Sequence, residues 1–288
     1  MRAKPSNTRP RLNELGVLLR HWRSVRGKSQ FDVSLDSGVS QRHISFIESG
    51  RSVPGRQTLM DVVEALDVPL RERNTVLQAA GYAPIFSEGA WDAAEMQSVG
   101  KALDRMLRQH DPYPAMVMDR YWNVLRTNTS APKFFNCFIV MAARATPRNM
   151  LQLMFDPAGM RPFIANWEAV ATGLLQRVHR ESVGRVLDQQ SKRLFEELLA
   201  YPDVKIEWTT QGAVSASPAL PVIPIDFIKD GVLLSYFSML TTVGTPQTVA
   251  LQELRIECMF PMNEATEAQH APLLAKAAAE TAGHSVQR

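Results

Sequence analysis

The sequence predicts two domains: an all-α bundle of five short helices, followed by an α+β domain with an antiparallel sheet. Three observations predict this. Apolar residues recur at helical spacing up to about residue 84, punctuated by serine caps and by glycine and proline stops. After Asp111-Pro112 the pattern changes to short extended runs, then a helical stretch, then extended runs again. The length of 288 residues and a hydrophobic content of 45% leave room for two ordinary cores.

Leu12, Leu15, Leu18, Leu19, Trp22 and Val25 predict a first helix with one buried stripe, ended by Gly27. Ser29 to Gly50 then reads as two short helices across a tight turn, a helix-turn-helix. Ser29 caps the first, Val33 and Leu35 are its expected buried positions, and Ser34 is small where two helices cross. Gly38 supplies the left-handed residue that ends it. Ser40 caps the second helix, Ile44 and Ile47 face inward, and Val39 plugs the turn. Gln41, Arg42, His43 and Ser45 remain outside as a row of hydrogen-bonding side chains, and Gly50 ends the helix. A helix of that diameter fits the major groove, where Gln and Arg make bidentate contacts to adenine and guanine. The plainer alternative is a helical hairpin with a solvated polar face. Arg51, in the following loop, can reach a phosphate. Leu59, Val62, Val63 and Leu66 predict a fourth helix, and Leu70, Val76, Leu77 and Ala80 a fifth, closed by Gly81-Tyr-Ala-Pro84.

Residues 12–82 resemble DNA-binding domains of the phage Cro/repressor type, the XRE family, in Leu-Arg-x-x-Arg before Ser-Gln and in Gly-Val-Ser at the turn. The resemblance implies that Gln30 holds a phosphate, that Gln41, Arg42 and Ser45 face base edges, and that Arg23 pairs with Glu48 to brace the recognition helix. Phe46 departs from the pattern, since that outer position is commonly polar. It either meets a thymine methyl or packs on the domain.

Charge agrees with this division. Residues 1–86 hold 13 Lys/Arg against 8 Asp/Glu, and the remainder 19 against 21, so attraction for phosphate is concentrated in the first third. Residues 1–11 read as a flexible basic arm that can lie along a DNA backbone, or equally as a disordered tail.

Residues 85–111 read as a connecting segment that becomes helical, with Leu103, Met106 and Leu107 on its apolar edge. It is either the first helix of the second domain or a signalling helix between two parts. Tyr113–Arg120 and Tyr121–Asn128 predict two short strands around a polar turn. Helical spacing runs from Ala131 to about Tyr201, with breaks near Thr146-Pro147 and Asp156-Pro157. Val204–Trp208, Leu220–Ile228, Val232–Val243 and Glu253–Phe260 are the later strand candidates, with Pro218, Pro221 and Pro224 suiting an edge or bend. The stretch 264–288 predicts a loose helix and, from 266 on, a frayed tail.

This element order, in an expected domain 112–265, resembles a PAS-type sensor domain and, more narrowly, the ligand-binding domain of MmyB-like regulators, a likeness that covers most of residues 105–265. Three segments carry the likeness: Pro114–Leu125, Asn149–Trp167 with Phe-Asp-Pro-x-Gly-Met-Arg-Pro, and Thr245–Pro261 with Leu-Arg-Ile-Glu and Phe-Pro. The resemblance implies a fatty acid or similar long-chain ligand between sheet and helical insert. Candidate lining residues are Trp122, Phe135, Phe138, Met154, Phe155, Phe163, Trp167 and Phe237. Arg161, Asn166, Asn128 and His179 are candidates for the carboxylate head. The alternatives are an ordinary filled core for the first group, and caps or solvated groups for the second.

No catalytic residue, metal site or cofactor is expected. The chain has no Gly-rich phosphate loop, GxSxG, HExxH or CxxCH, its six His are scattered, and neither Asp226/Asp230 nor Glu196-Glu197 makes an acid/base pair. A lone His ligating haem in a PAS-like pocket is the remaining cofactor alternative. Cys137 and Cys258 form no disulfide framework, which fits a reducing cytoplasm, and no run suits a membrane span or a secretory signal. The expected partners are double-stranded DNA, a small apolar ligand and a second copy of the chain. A ligand-free dimerisation or protein-interaction module is the alternative for the second domain.

Overall fold

The computed structural model describes residues 9–89, 96–146, 148–183, 188–209, 222 and 224–285, so the expected basic arm up to residue 8 and the prolines 218 and 221 lie outside the described residues. The chain divides into two compact units, one running to Trp91 and including Gly244–Gln252, the other holding the rest.

The first unit contains α1 (Arg9–Val25), α2 (Gln30–Ser37), α3 (Gln41–Glu48), α4 (Arg56–Ala65) and α5 (Leu70–Ala79). The local chemistry explains these limits. Ser29 and Asp32 form a reciprocal capping box, with the Ser29 hydroxyl accepting from Asp32 N at 3.1 Å and the Asp32 carboxylate accepting from Ser29 N at 2.7 Å. Gly38 ends α2 at φ 69°, and the Ser40 hydroxyl accepts from His43 N to open α3. Leu15, Leu19, Trp22, Val33, Ile44, Ile47, Leu59, Val63 and Leu77 make one core.

Two expected buried positions differ. Leu35 is 67% exposed and Val25 is 41% exposed, because eight residues of α2 and the last turn of α1 each bury only a narrow stripe. The closest helix crossing is at Gly16 rather than Ser34: a Cβ built on Gly16 would stand 2.2 Å from the carbonyl oxygen of Glu48. The segment Gly244–Gln252 belongs to this unit, with Val249 N donating to Ser87 O at 3.0 Å and Leu70 N donating to Gln252 Oε1 at 2.6 Å.

The second unit begins with α6 (Gln97–Gln109), on which Leu103 and Leu107 are buried while Met106 is exposed. Then come β1 (Ala115–Met118), β2 (Val124–Thr127), α7 (Ser130–Asn136), α8 (Met150–Phe155), α9 (Trp167–Val183) and α10 (Gln189–Leu199). β3 (Ile225–Lys229), β4 (Val232–Thr241), α11 (Val249–Glu253), β5 (Arg255–Pro261) and α12 (Glu264–Ser285) complete the described chain. The five strands form one antiparallel sheet in the order β2-β1-β5-β4-β3.

Asp119 builds the β1–β2 turn, its carboxylate accepting from Tyr121 N and Asn123 N at 2.8 and 2.9 Å, while Trp122 takes φ 67°. One sheet face, carrying Met116, Phe227, Leu234, Tyr236 and Met259, meets the helical insert and α12 in a core that includes Phe134, Leu151, Phe155 and Leu175.

The expected strand Val204–Trp208 is not a strand. Ile206–Thr209 turns as a short 3-10 helix, with Trp208 N donating to Lys205 O at 3.2 Å and the Trp208 side chain buried. Its apolar content serves to anchor a turn, which periodicity over five residues does not distinguish from an extended run.

Candidate DNA-binding face and ligand cavity

Buried Ile44 and Ile47 fix α3 against the helical core, which leaves Gln41 and Arg42 exposed and His43 and Ser45 half-buried along the outer side. Glu48, at the end of the same helix, is buried, and its carboxylate accepts from Arg23 Nε at 2.7 Å and Nη2 at 3.0 Å and from Gln30 Nε2 at 2.8 Å. The hydrogen bond to Glu48 is the main cause that raises the Arg23 pKa above its ordinary value, so the brace stays charged. Gln30 is thus tied to α3 by one N–H of its side-chain amide.

Phe46 organises its neighbours. The Arg42 guanidinium carbon stands 5.3 Å from its ring centre, and that of Arg51 stands 5.9 Å away. Arg51 N also donates to Phe46 O at 2.8 Å, so the loop cation is anchored beside the helix. Other basic residues of this unit act as struts instead: Arg26 donates to Leu66 O and Asp67, and Lys28 to Asp36 and Ala65 O.

In the second unit a cavity of about 350 Å³ opens between β1, β2, α7 and α8. Its apolar wall includes Met116, Val124, Phe135, Met141, Met150 and Leu153. Arg148, Asn149, Asn136, Thr127 and Thr146 supply its polar part. Asn149 is committed to structure, since its side-chain Oδ1 accepts from Gln152 N to cap α8 and its Nδ2 donates to Tyr121 O.

Residues 14–76 match the model of a helix-turn-helix domain, and residues 99–273, more than half the chain, match that of the MmyB-like transcription regulator ligand binding domain. The chain belongs to the MmyB-like transcription regulators. No curated protein matches it. Both matched families are regulatory, one for DNA and one for a ligand.

Of the lining residues expected from the sequence of this MmyB-like regulator, Phe135 is on the cavity wall. Trp122, Phe138, Met154 and Phe155 sit inside the packed core, with Phe163 and Trp167 against its edge. Phe237 alternates to the other sheet face from Tyr236 and stacks on Phe260, ring centres 5.5 Å apart. The four expected head-group residues are elsewhere as well. Arg161 donates to Pro202 O and Asp203, and Asn166 bridges Pro224 O and Asp226 N. Asn128 accepts from Ala115 N and Ala131 N, and His179 lies against Phe195.

Sequence reading missed Arg148, which lines the cavity of the regulator. The signal available was its position directly before the α8 cap Asn149, at the start of a matched segment. It also missed the buried pair in which Tyr236 and His270 Nδ1 share a hydrogen bond of 2.7 Å. Among the described residues no group of three His, Cys, Asp or Glu is disposed to hold a metal, and no helix is long and apolar enough to cross a membrane.

Proposed function

We propose that this ligand-sensing transcription regulator is a one-component switch: it acts in the cytoplasm, binds duplex DNA as a homodimer through α3, and responds to a fatty acid or similar apolar molecule in its second unit. The observation that carries the DNA reading is the outer row Gln41, Arg42, His43 and Ser45 on a helix whose inner side is buried and whose end is braced through Glu48. Bidentate Gln and Arg side chains suit base edges in the major groove, and Arg51 suits a phosphate beside them. A two-fold dimer reads half-sites about one helical turn, roughly 34 Å, apart. The apolar wall of the 350 Å³ cavity supports the ligand reading, because small-molecule sites are concave and mostly apolar. Such a ligand acts only through unequal affinity for DNA-competent and DNA-incompetent states.

Arg42→Ala tests the DNA reading. The expected result is a loss of about 1–3 kcal/mol on operator DNA with discrimination relaxed at one base pair, measured by fluorescence anisotropy on a panel of single-base operator variants. Equal weakening on every sequence makes Arg42 a phosphate contact, and no response of the pure protein to DNA at low salt removes the reading. Denaturing extraction of the purified protein followed by mass spectrometry, with a thermal-shift screen of fatty acids, tests the ligand.

A further inference from the structure

We propose that Phe46 is a specificity-determining residue of the recognition helix: it reads the C5-methyl group of a thymine in the base pair next to a guanine held by Arg42. This rests on the reading of α3 as the helix that enters the major groove, and assigns that helix one further base position.

Phe46 is one helical turn beyond Arg42 on the same side of α3. Its ring is half-buried, yet it is not part of the core of the helical unit, whose partly buried apolar companions are Met60, Ala80 and Tyr82. Two cations stand over the ring instead, the guanidinium carbon of Arg42 at 5.3 Å from its centre and that of Arg51 at 5.9 Å. Neither guanidinium has an acidic partner among the described residues, whereas Arg23, Arg26 and Arg71 of the same unit are paired with Glu48, Asp67 and Glu88. The backbone holds the residue in place. Phe46 O accepts from Arg51 N at 2.8 Å, from Ser52 N at 3.2 Å and from Ser49 Oγ at 3.2 Å, so the turn after α3 is folded onto it.

An apolar ring on the outer side of such a helix has one fitting target. The major groove presents hydrogen-bonding groups at every base pair, and among the four bases thymine alone adds an apolar group, its C5-methyl. Against any other edge the ring strips water from a polar group and returns no hydrogen bond, which costs free energy. The stack also prepares Arg42. With its flat side toward the ring, the guanidinium keeps its N–H groups at the rim, where they meet guanine O6 and N7. A long side chain already held against a ring also loses less rotamer freedom on binding. Bases are spaced by roughly 3.4 Å along a strand, and a ring centre 5.3 Å from the guanidinium therefore serves the neighbouring base pair.

The test uses the full chain and a duplex that it selects from a randomised library, with affinity read by fluorescence anisotropy. Each thymine is replaced in turn by deoxyuridine, which removes the methyl group and nothing else. Wild-type protein is expected to lose about fourfold in affinity at one thymine, the worth of one buried methyl, by a factor that does not change with salt. Phe46→Gln is expected to bind the thymine and uracil duplexes equally. Phe46→Leu, which keeps an apolar side chain, is expected to retain part of the difference. Wild-type protein indifferent to every such replacement overturns the proposal without need of any variant, while the DNA reading stands. A Phe46→Gln protein that keeps the wild-type difference overturns it too, since another side chain then reads the methyl. So does a sensitive thymine that is not beside the base pair at which Arg42→Ala relaxes discrimination. If wild-type protein selects no duplex at low salt, the DNA reading itself fails and the assignment of Phe46 fails with it.

Discussion

Glu48 is 4% exposed, and its two carboxylate oxygens accept from Arg23 and Gln30, side chains of α1 and α2, while Glu48 itself is in α3. Glu48→Gln keeps the size and removes the charge opposite Arg23. The expected loss is about 3 kcal/mol, the lower end for a broken buried pair because Arg23 is partly exposed, read as a lower urea midpoint. Gly16→Ala acts on the same junction from the other side. Its Cβ would stand 2.2 Å from the backbone carbonyl oxygen of Glu48, which no rotamer change can move aside, so α1 and α3 must separate, and a loss of operator affinity together with stability is expected. An Arg51→Ala variant is expected to weaken binding to all DNA sequences alike and to lower the slope of log affinity against log salt by about 1, read by fluorescence anisotropy over a salt series; a loss confined to one sequence would instead make Arg51 a base contact. At this scale the caps were legible, because Ser29, Gly38 and Ser40 act on backbone groups within three or four residues. Gly16 was not, since its constraint comes from a residue 32 positions away. Phe46 stood out as a departure, but its place between two guanidiniums depends on how the loop after α3 folds back.

Among the elements, α12 is held to β4 by a polar contact inside an apolar core. His270 Nε2 lies 2.8 Å from Pro112 O, so it carries the proton and donates, and Nδ1 accepts from the Tyr236 hydroxyl at 2.7 Å. Burial pushes the His270 pKa below its ordinary 6.5, with the Pro112 carbonyl working in the opposite direction. The unfolded chain thus takes up a proton near pH 6.5, before the folded ring does. Stability contributed by this site is present in full above that value and declines as pH falls below it, until the folded ring also titrates. Urea midpoints of the sheet unit are expected to drop as pH falls below 6.5, and His270→Gln, though destabilised overall, to show a flatter profile there. The helices α1–α5 and the strands of the sheet were legible from period and punctuation. The turn at Trp208 and the short α11 were not, because five residues carry too little period to separate turn, strand and helix. The cavity was legible only as a class of residue. Met and Phe types mark both core and ligand wall, and which of them face a void depends on how α7 and α8 lie on β1 and β2.

For the whole molecule, the path of the chain matters more than the order of its domains. It leaves the sheet at β4, joins the helical unit over Gly244–Gln252, and returns to the sheet as β5. Within the helical unit, that segment contributes a fully buried Val249, a bond from Val249 N to Ser87 O, and the Gln252 acceptor for Leu70 N at the start of α5. A local opening of the helices therefore frees these amides, whereas the β1–β5 ladder, such as Val117 opposite Ile256, has its own partners in the sheet. Leu59 is fully buried in the helical core, and Leu59→Ala costs that unit about 2–5 kcal/mol. Hydrogen exchange is expected to quicken at Val249 and Leu70 in this variant by a similar factor, and to stay unchanged at Val117. Exchange at Val249 that follows Val117 instead means that the segment opens with the sheet. The covalent route β4, Gly244–Gln252, β5 would then not tie the state of the sheet to the stability of the DNA-binding helices.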